Sequence, residues 1–125
     1  MTAPIDSALS GRRVEQLTGG RRLLIRLSGG VEVSVENDFR LAGPAEVEHF
    51  YPGLGMQPTG GLPELVGARL AAARVTPAGA LVLAFDTGRT LTVAPDGPAH
   101  PWAVATADGP LFTAQAGGYL TARGR

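Results

Sequence analysis

The residues best suited to chemistry are few and scattered. His49 lies in EHFYP and His100 in AHPW. A metal centre needs three or four ligands at suitable spacing, and no His-x-His or His-x-x-x-His is present. There is no Cys, so thiolate nucleophiles, Cys-based zinc sites and disulfides are all excluded. The carboxylates divide between turns (Asp86, Asp96, Asp108), the central segment (Glu46, Glu48, Glu64) and positions facing arginines (Glu32, Glu36). An Asp in a turn is occupied by bonding its own backbone amides. No acid pair is left for general acid–base work. The Gly-rich run YPGLGMQPTGG lacks the Lys and the following helix of a phosphate loop, and no GxSxG occurs. No catalytic residue, metal ligand or cofactor is assigned.

What the sequence specifies well is the scaffold. LLIRLSGGVEVSV at residues 23–35 is echoed by LVLAFDTGRTLTV at 81–93. In the first copy Leu23, Ile25 and Leu27 alternate with polar or outward positions, as do Val31, Val33 and Val35. Period two means strands with one buried face. A two-residue Gly29-Gly30 turn would mix the faces. A three-residue loop, Ser28-Gly29-Gly30, sets Leu27 opposite Val31, Ile25 opposite Val33 and Leu23 opposite Val35. It also places Arg26 against Glu32 and Arg22 against Glu36. Such a loop needs a left-handed third residue, which Gly30 supplies. The second copy follows the same rule through Asp86-Thr87-Gly88, with Leu83 opposite Leu91 and Leu81 opposite Val93. A third hairpin through Ala107-Asp108-Gly109 sets Val104 opposite Phe112 and Trp102 opposite Ala114.

The echo extends upstream, where Gly11-Arg12-Arg13-Val14 precedes the first hairpin as Gly67-Ala68-Arg69-Leu70 precedes the second. Phe39-Arg40-Leu41 matches Trp102-Ala103-Val104. The expectation is one all-β domain over residues 1–125 with at most one or two short helical turns. Its parts are a half at 11–43, a connection at 44–63, a second half at 64–106 and a closing hairpin at 107–123. The two antiparallel β-meanders, related by an internal pseudo-two-fold repeat, hide their apolar faces against each other as a sandwich or open barrel. LPELVGARLAAARV at 62–75 is Ala-rich enough to read as a helix, but Gly67 and the repeat favour a helical turn at 63–66 and a strand from about Ala68.

Residues 43–63 hold four prolines and five glycines, which argues against a regular element over most of the segment. AEVEHF is expected to form at most one helical turn after Pro44. Long connections are often functional, and this one carries His49, Phe50 and Tyr51, which with His100 and Trp102 form the candidate recognition residues. A structural role competes: Phe50 and Leu54 fold back over an open end of the sandwich. In the second hairpin Val82, Ala84, Thr90 and Thr92 point away from the core, unlike the Arg and Glu of the first. A contiguous face of small apolar groups asks for cover, either from the closing hairpin or connection or from a protein partner. Those four residues are the candidate interface.

Composition narrows the partners. The 11 basic residues, all Arg, balance 11 acidic ones, so the basic excess of nucleic-acid binders is missing. No run of about 18 apolar residues exists to span a membrane, and the N-terminus has no basic head and apolar run of a secretory signal. A cytoplasmic location is expected. The runs Val93-Ala94-Pro95-Asp96, His100-Pro101-Trp102-Ala103-Val104, Asp108-Gly109-Pro110-Leu111 and Gly117-Gly118-Tyr119-Leu120, with Gly11, Val14, Gly67 and Leu70, resemble a family of small uncharacterised actinobacterial proteins. The resemblance implies no established activity. By analogy with small proteins of this kind, a toxin-neutralising immunity protein is one concrete form of a protein-binding module. The alternatives are a small-ligand binder or enzyme using the cleft between the halves, near Trp102, His100 and Tyr51, and a structural homodimer subunit.

Overall fold

A computed structural model describes residues 4–95 and 101–114, and the backbone of 120–122. Two antiparallel sheets pack as an open sandwich. One helix, α1 (Pro4–Leu9), precedes strands β1 (Val14–Thr18), β2 (Leu23–Leu27), β3 (Val31–Val35), β4 (Phe39–Ala42) and β5 (Val47–Phe50). There follow β6 (Leu70–Val75), β7 (Leu81–Phe85), β8 (Thr90–Val93), β9 (Trp102–Thr106), β10 (Gly109–Ala114) and β11 (Leu120–Ala122). Single 3-10 turns stand at Pro52–Leu54 and Pro63–Leu65.

The hairpin registers follow from the alternation. Leu23, Ile25 and Leu27 pair with Val35, Val33 and Val31, and all six are essentially without solvent contact. Burying each such side chain is worth about 1.5–3 kcal/mol, so a one-residue slip would forfeit the whole set. Gly30 takes φ 78°, as the loop requires. Arg26 opposes Glu32 with a 3.5 Å ion pair, while the ladder ends at Leu23 and Val35, one step short of Arg22 and Glu36. In the second hairpin Leu81 pairs with Val93 and Leu83 with Leu91, and Gly88 sits at φ 88°. The third keeps Val104 opposite Phe112, but its loop is shorter than expected. Thr106 pairs with Gly109, and the extra residue is absorbed as a bulge between Pro110 and Phe112.

The meanders do not segregate into separate sheets. One sheet runs β1-β2-β3-β9-β10-β11 and the other β5-β4-β8-β7-β6. The fourth strand of each half therefore crosses to the opposite sheet: β4 pairs with β8, and β9 with β3. Asn37 occupies the crossover. It is the buried polar side chain among the described residues, and its Nδ2 donates to the Ala94 carbonyl at 2.9 Å. Its own amide and that of Glu36 donate to the Pro101 carbonyl. Both crossing segments are tied together there.

Trp102 links the sheets from within. It is fully buried, and its Nε1 donates at 3.1 Å to the carbonyl of buried Gly79 in the β6–β7 turn of the opposite sheet.

One expectation needs correction. Residues 47–50 form a strand, not a helical turn. Gly43 donates to the Glu46 carbonyl around Pro44-Ala45, and this tight turn folds Val-Glu-His-Phe back onto β4. The favoured reading of 62–75 holds, with a 3-10 turn at Pro63–Leu65 followed by β6. Helix α1, in turn, closes the β6 edge: Asp6 accepts from the Ala73 amide at 2.8 Å and Ser10 donates to the Ala71 carbonyl at 3.1 Å.

Candidate functional site

Strand pairing places the outward side chains of the five-stranded sheet in transverse rows. Arg74, Val82, Thr92, Arg40 and His49 form one, each opposite the next across β6-β7-β8-β4-β5. Ala72, Ala84, Thr90, Ala42 and Val47 form the next. Between them lies the inward row, in which Ala73, Leu83, Leu91 and Leu41 are buried. The four candidate interface residues, Val82, Ala84, Thr90 and Thr92, thus share one face. Val82 is buried among its neighbours, and the other three are half-buried. Strands β10 and β11 of the closing hairpin belong to the other sheet.

His49 and Tyr51 reach this face from the edge. A depression of about 380 Å³ is lined by Arg40, His49, Tyr51, Thr92, Thr76 and Asp38, among others. Arg40 and His49 are direct cross-strand neighbours. The alternation that gives Gly43 and Glu46 a bonded pair makes Arg40–His49 a non-hydrogen-bonded pair, the closer kind, with side chains side by side. Neither Arg40 nor Arg74 forms an ion pair among the described residues; those present join Arg26 to Glu32 and Arg89 to Glu64. Val47 and Tyr51 are half exposed. The arrangement offers cationic and aromatic groups around a floor of small side chains, which suits contact with another surface.

Phe50 points the other way. It stacks on Phe39 with centroids 5.0 Å apart and is buried. It joins the core as a residue of β5 instead of folding back over an open end, and Leu54 is 85% exposed. Trp102 lies fully buried inside the sandwich. His100 lies outside the described residues.

Three of the acids have structural partners. Glu48 accepts from the Gly61 amide at 2.9 Å, and Glu64 bonds Arg89 at 2.9 Å. Asp86 accepts from the Arg69 amide at 3.1 Å, pinning its turn to the start of β6 rather than to its own loop. Among the described residues no three of His, Asp and Glu gather as a metal set would. Arg40 was missed by sequence reading, and only the β4–β5 pairing, itself unforeseen, brings it beside His49.

A family model described as a family of unknown function (DUF6188) matches residues 5–124. No curated protein and no solved structure matches the chain.

Proposed function

We propose that this chain, which belongs to that family of unknown function, is a non-enzymatic protein-binding module whose contact surface is the outward face of the five-stranded sheet. The supporting observation is the pair of rows just described. Ala72, Ala84, Thr90 and Ala42 form a small-residue floor, with Val47 and Tyr51 half exposed at one side and Arg40, Arg74 and His49 around it. Aromatic and Arg side chains are among the types enriched at protein interfaces. The complementary partner carries carboxylates at the rim of its contact. An immunity protein that blocks a toxin is one concrete form. The opposite sheet differs: Arg26 and Glu32 are paired on its outward face. We also read the shared strand order of the two sheets, with its exchanged fourth strands, as the product of a duplication.

A matched pair of variants tests this. Thr92→Glu and Ser34→Glu add the same charge at outward positions of the two sheets. A partner that co-purifies with the parent protein from its native cells is expected to be lost with Thr92→Glu and kept with Ser34→Glu. Equal retention by both variants rejects the face.

A second reading is favoured by the depression at Arg40, His49 and Tyr51, which is large enough for a small ligand. A thermal-shift screen of small anionic metabolites that stabilises the parent but not Arg40→Ala would select it over the first.

A further inference from the structure

We infer that the free edge of β5 is a homodimer contact, in which two copies pair their β5 strands antiparallel about a two-fold axis through His49. The inference concerns the edge of the sheet and stands apart from the face reading above.

An uncovered edge strand presents a row of unpaired amides and carbonyls and is a template for pairing. The other edge of the same sheet is closed, because Asp6 and Ser10 occupy the β6 amide and carbonyl groups. The start of β1 is bonded to residues 67–70, and Gly20 is bridged to Met56. Among the described residues β5 has β4 on one side and no strand on the other. Gly43 donates to Glu46, so alternation turns the amides and carbonyls of Leu41, Glu48, Phe39 and Phe50 toward each other. The amides and carbonyls of Val47 and His49 therefore point away from the sheet, and no hydrogen bond to them is found among the described residues. Pro44 and Pro52 lie beyond the ends of the strand, and none interrupts it.

A second copy fits this edge in one register. With His49 opposite His49 of the second copy, Val47 lies opposite Tyr51 across the axis; the Tyr51 carbonyl is already held by the Leu54 amide of its own chain at 3.0 Å. Val47 and Tyr51 are 51% and 50% exposed, two of the exposed large apolar side chains of the chain, and both belong to the outer face. Each covers its counterpart twice in the dimer. Glu48 then faces Phe50 of the second copy. A shift that pairs Val47 with His49 would instead oppose the two Glu48 carboxylates, a like-charge contact that disfavours it. Self-complementarity of this kind is what a two-fold interface requires.

The test uses the full chain. Sedimentation is expected to give twice the 12.8 kDa chain mass. Val47→Lys, a charge on the edge that leaves the bonds to β4 in place, should return the monomer mass with an unchanged far-UV spectrum. Because the chain has no Cys, His49→Cys adds a single thiol at the axis. Opposed residues of a bonded antiparallel pair have Cα atoms about 5.5 Å apart, within disulfide range. Mild oxidation should therefore cross-link His49→Cys and leave the exposed control Val66→Cys single. Thr92→Glu, which disables the face, should leave the dimer whole. A monomeric parent overturns the inference. So does a dimer that survives Val47→Lys, one that dissociates with Thr92→Glu alone, or equal cross-linking at residues 49 and 66.

Discussion

Replacing the indole N–H of Trp102 by sulfur isolates a single bond between the sheets. The chain has one Trp, so biosynthetic exchange for benzothienylalanine changes that residue alone and keeps its shape. The N–H reaches the carbonyl of Gly79 at 3.1 Å, and both residues are buried. Water therefore has no route to replace the donor. Leaving a buried acceptor unpaired costs about 1–3 kcal/mol. Unfolding entropy near 2.1 cal/mol/K per residue makes each kcal/mol worth roughly 4 °C for a chain of this length. The expected fall in Tm is about 4–12 °C by calorimetry, with an unchanged far-UV spectrum. Trp102→Phe should fall further, because it loses packing volume as well as the donor. Melting within about 2 °C of the parent after sulfur exchange would refute the assignment of this bond as a tie between the sheets; that interval follows from the same scale.

Three other outcomes follow from named contacts. Asn37→Leu strips the Ala94 carbonyl of its 2.9 Å donor at the crossover and should cost about 1–3 kcal/mol in a urea titration. Asp6→Ala leaves the Ala73 amide without its 2.8 Å acceptor; a loss of about 1.5–3 kcal/mol is expected, together with concentration-dependent light scattering from the reopened β6 edge. Gly19→Ala would press a methyl group against the Met56 carbonyl and, at 2.9 Å, the Pro58 ring, so the Gly20–Met56 bridge should open at a cost of about 1–3 kcal/mol, read as faster amide exchange at Gly20 and Met56.

The hairpins were legible in the sequence because two independent constraints agreed. Period-two burial fixed which residues share a face, and a glycine third in the loop fixed the turn. Leu27–Val31 and Leu83–Leu91 satisfy both. The β4–β5 hairpin escaped notice for the opposite reason. Its strand is short, and the prolines and glycines around Val47–Phe50 mask four alternating residues whose pairing comes from β4. Helix α1 was equally hidden. Six residues are too few to hold a helix by local propensity, and what fixes it is distant: the Asp6 bond to Ala73 and the burial of Ile5 and Leu9. Sheet membership of β4 and β9 has no local code at all, since either sheet buries the same faces. For the candidate site, the Thr92 face could be read from alternation, and His49 and Tyr51 were named for their chemistry. Their meeting around Arg40 required the unforeseen strand.

Exchange of the fourth strands has a bearing on how the chain matures. When residues 11–43 leave the ribosome, β4 has no neighbour, because β8 is still to be synthesised, and the flank of β3 waits for β9. Neither portion can close by itself. The N-terminal part must stay unsettled until nearly the whole polypeptide has emerged, and the last step is a mutual clasp instead of the docking of two finished pieces. Splitting the gene within residues 51–62 should yield fragments that are unstructured singly and regain the sandwich when mixed.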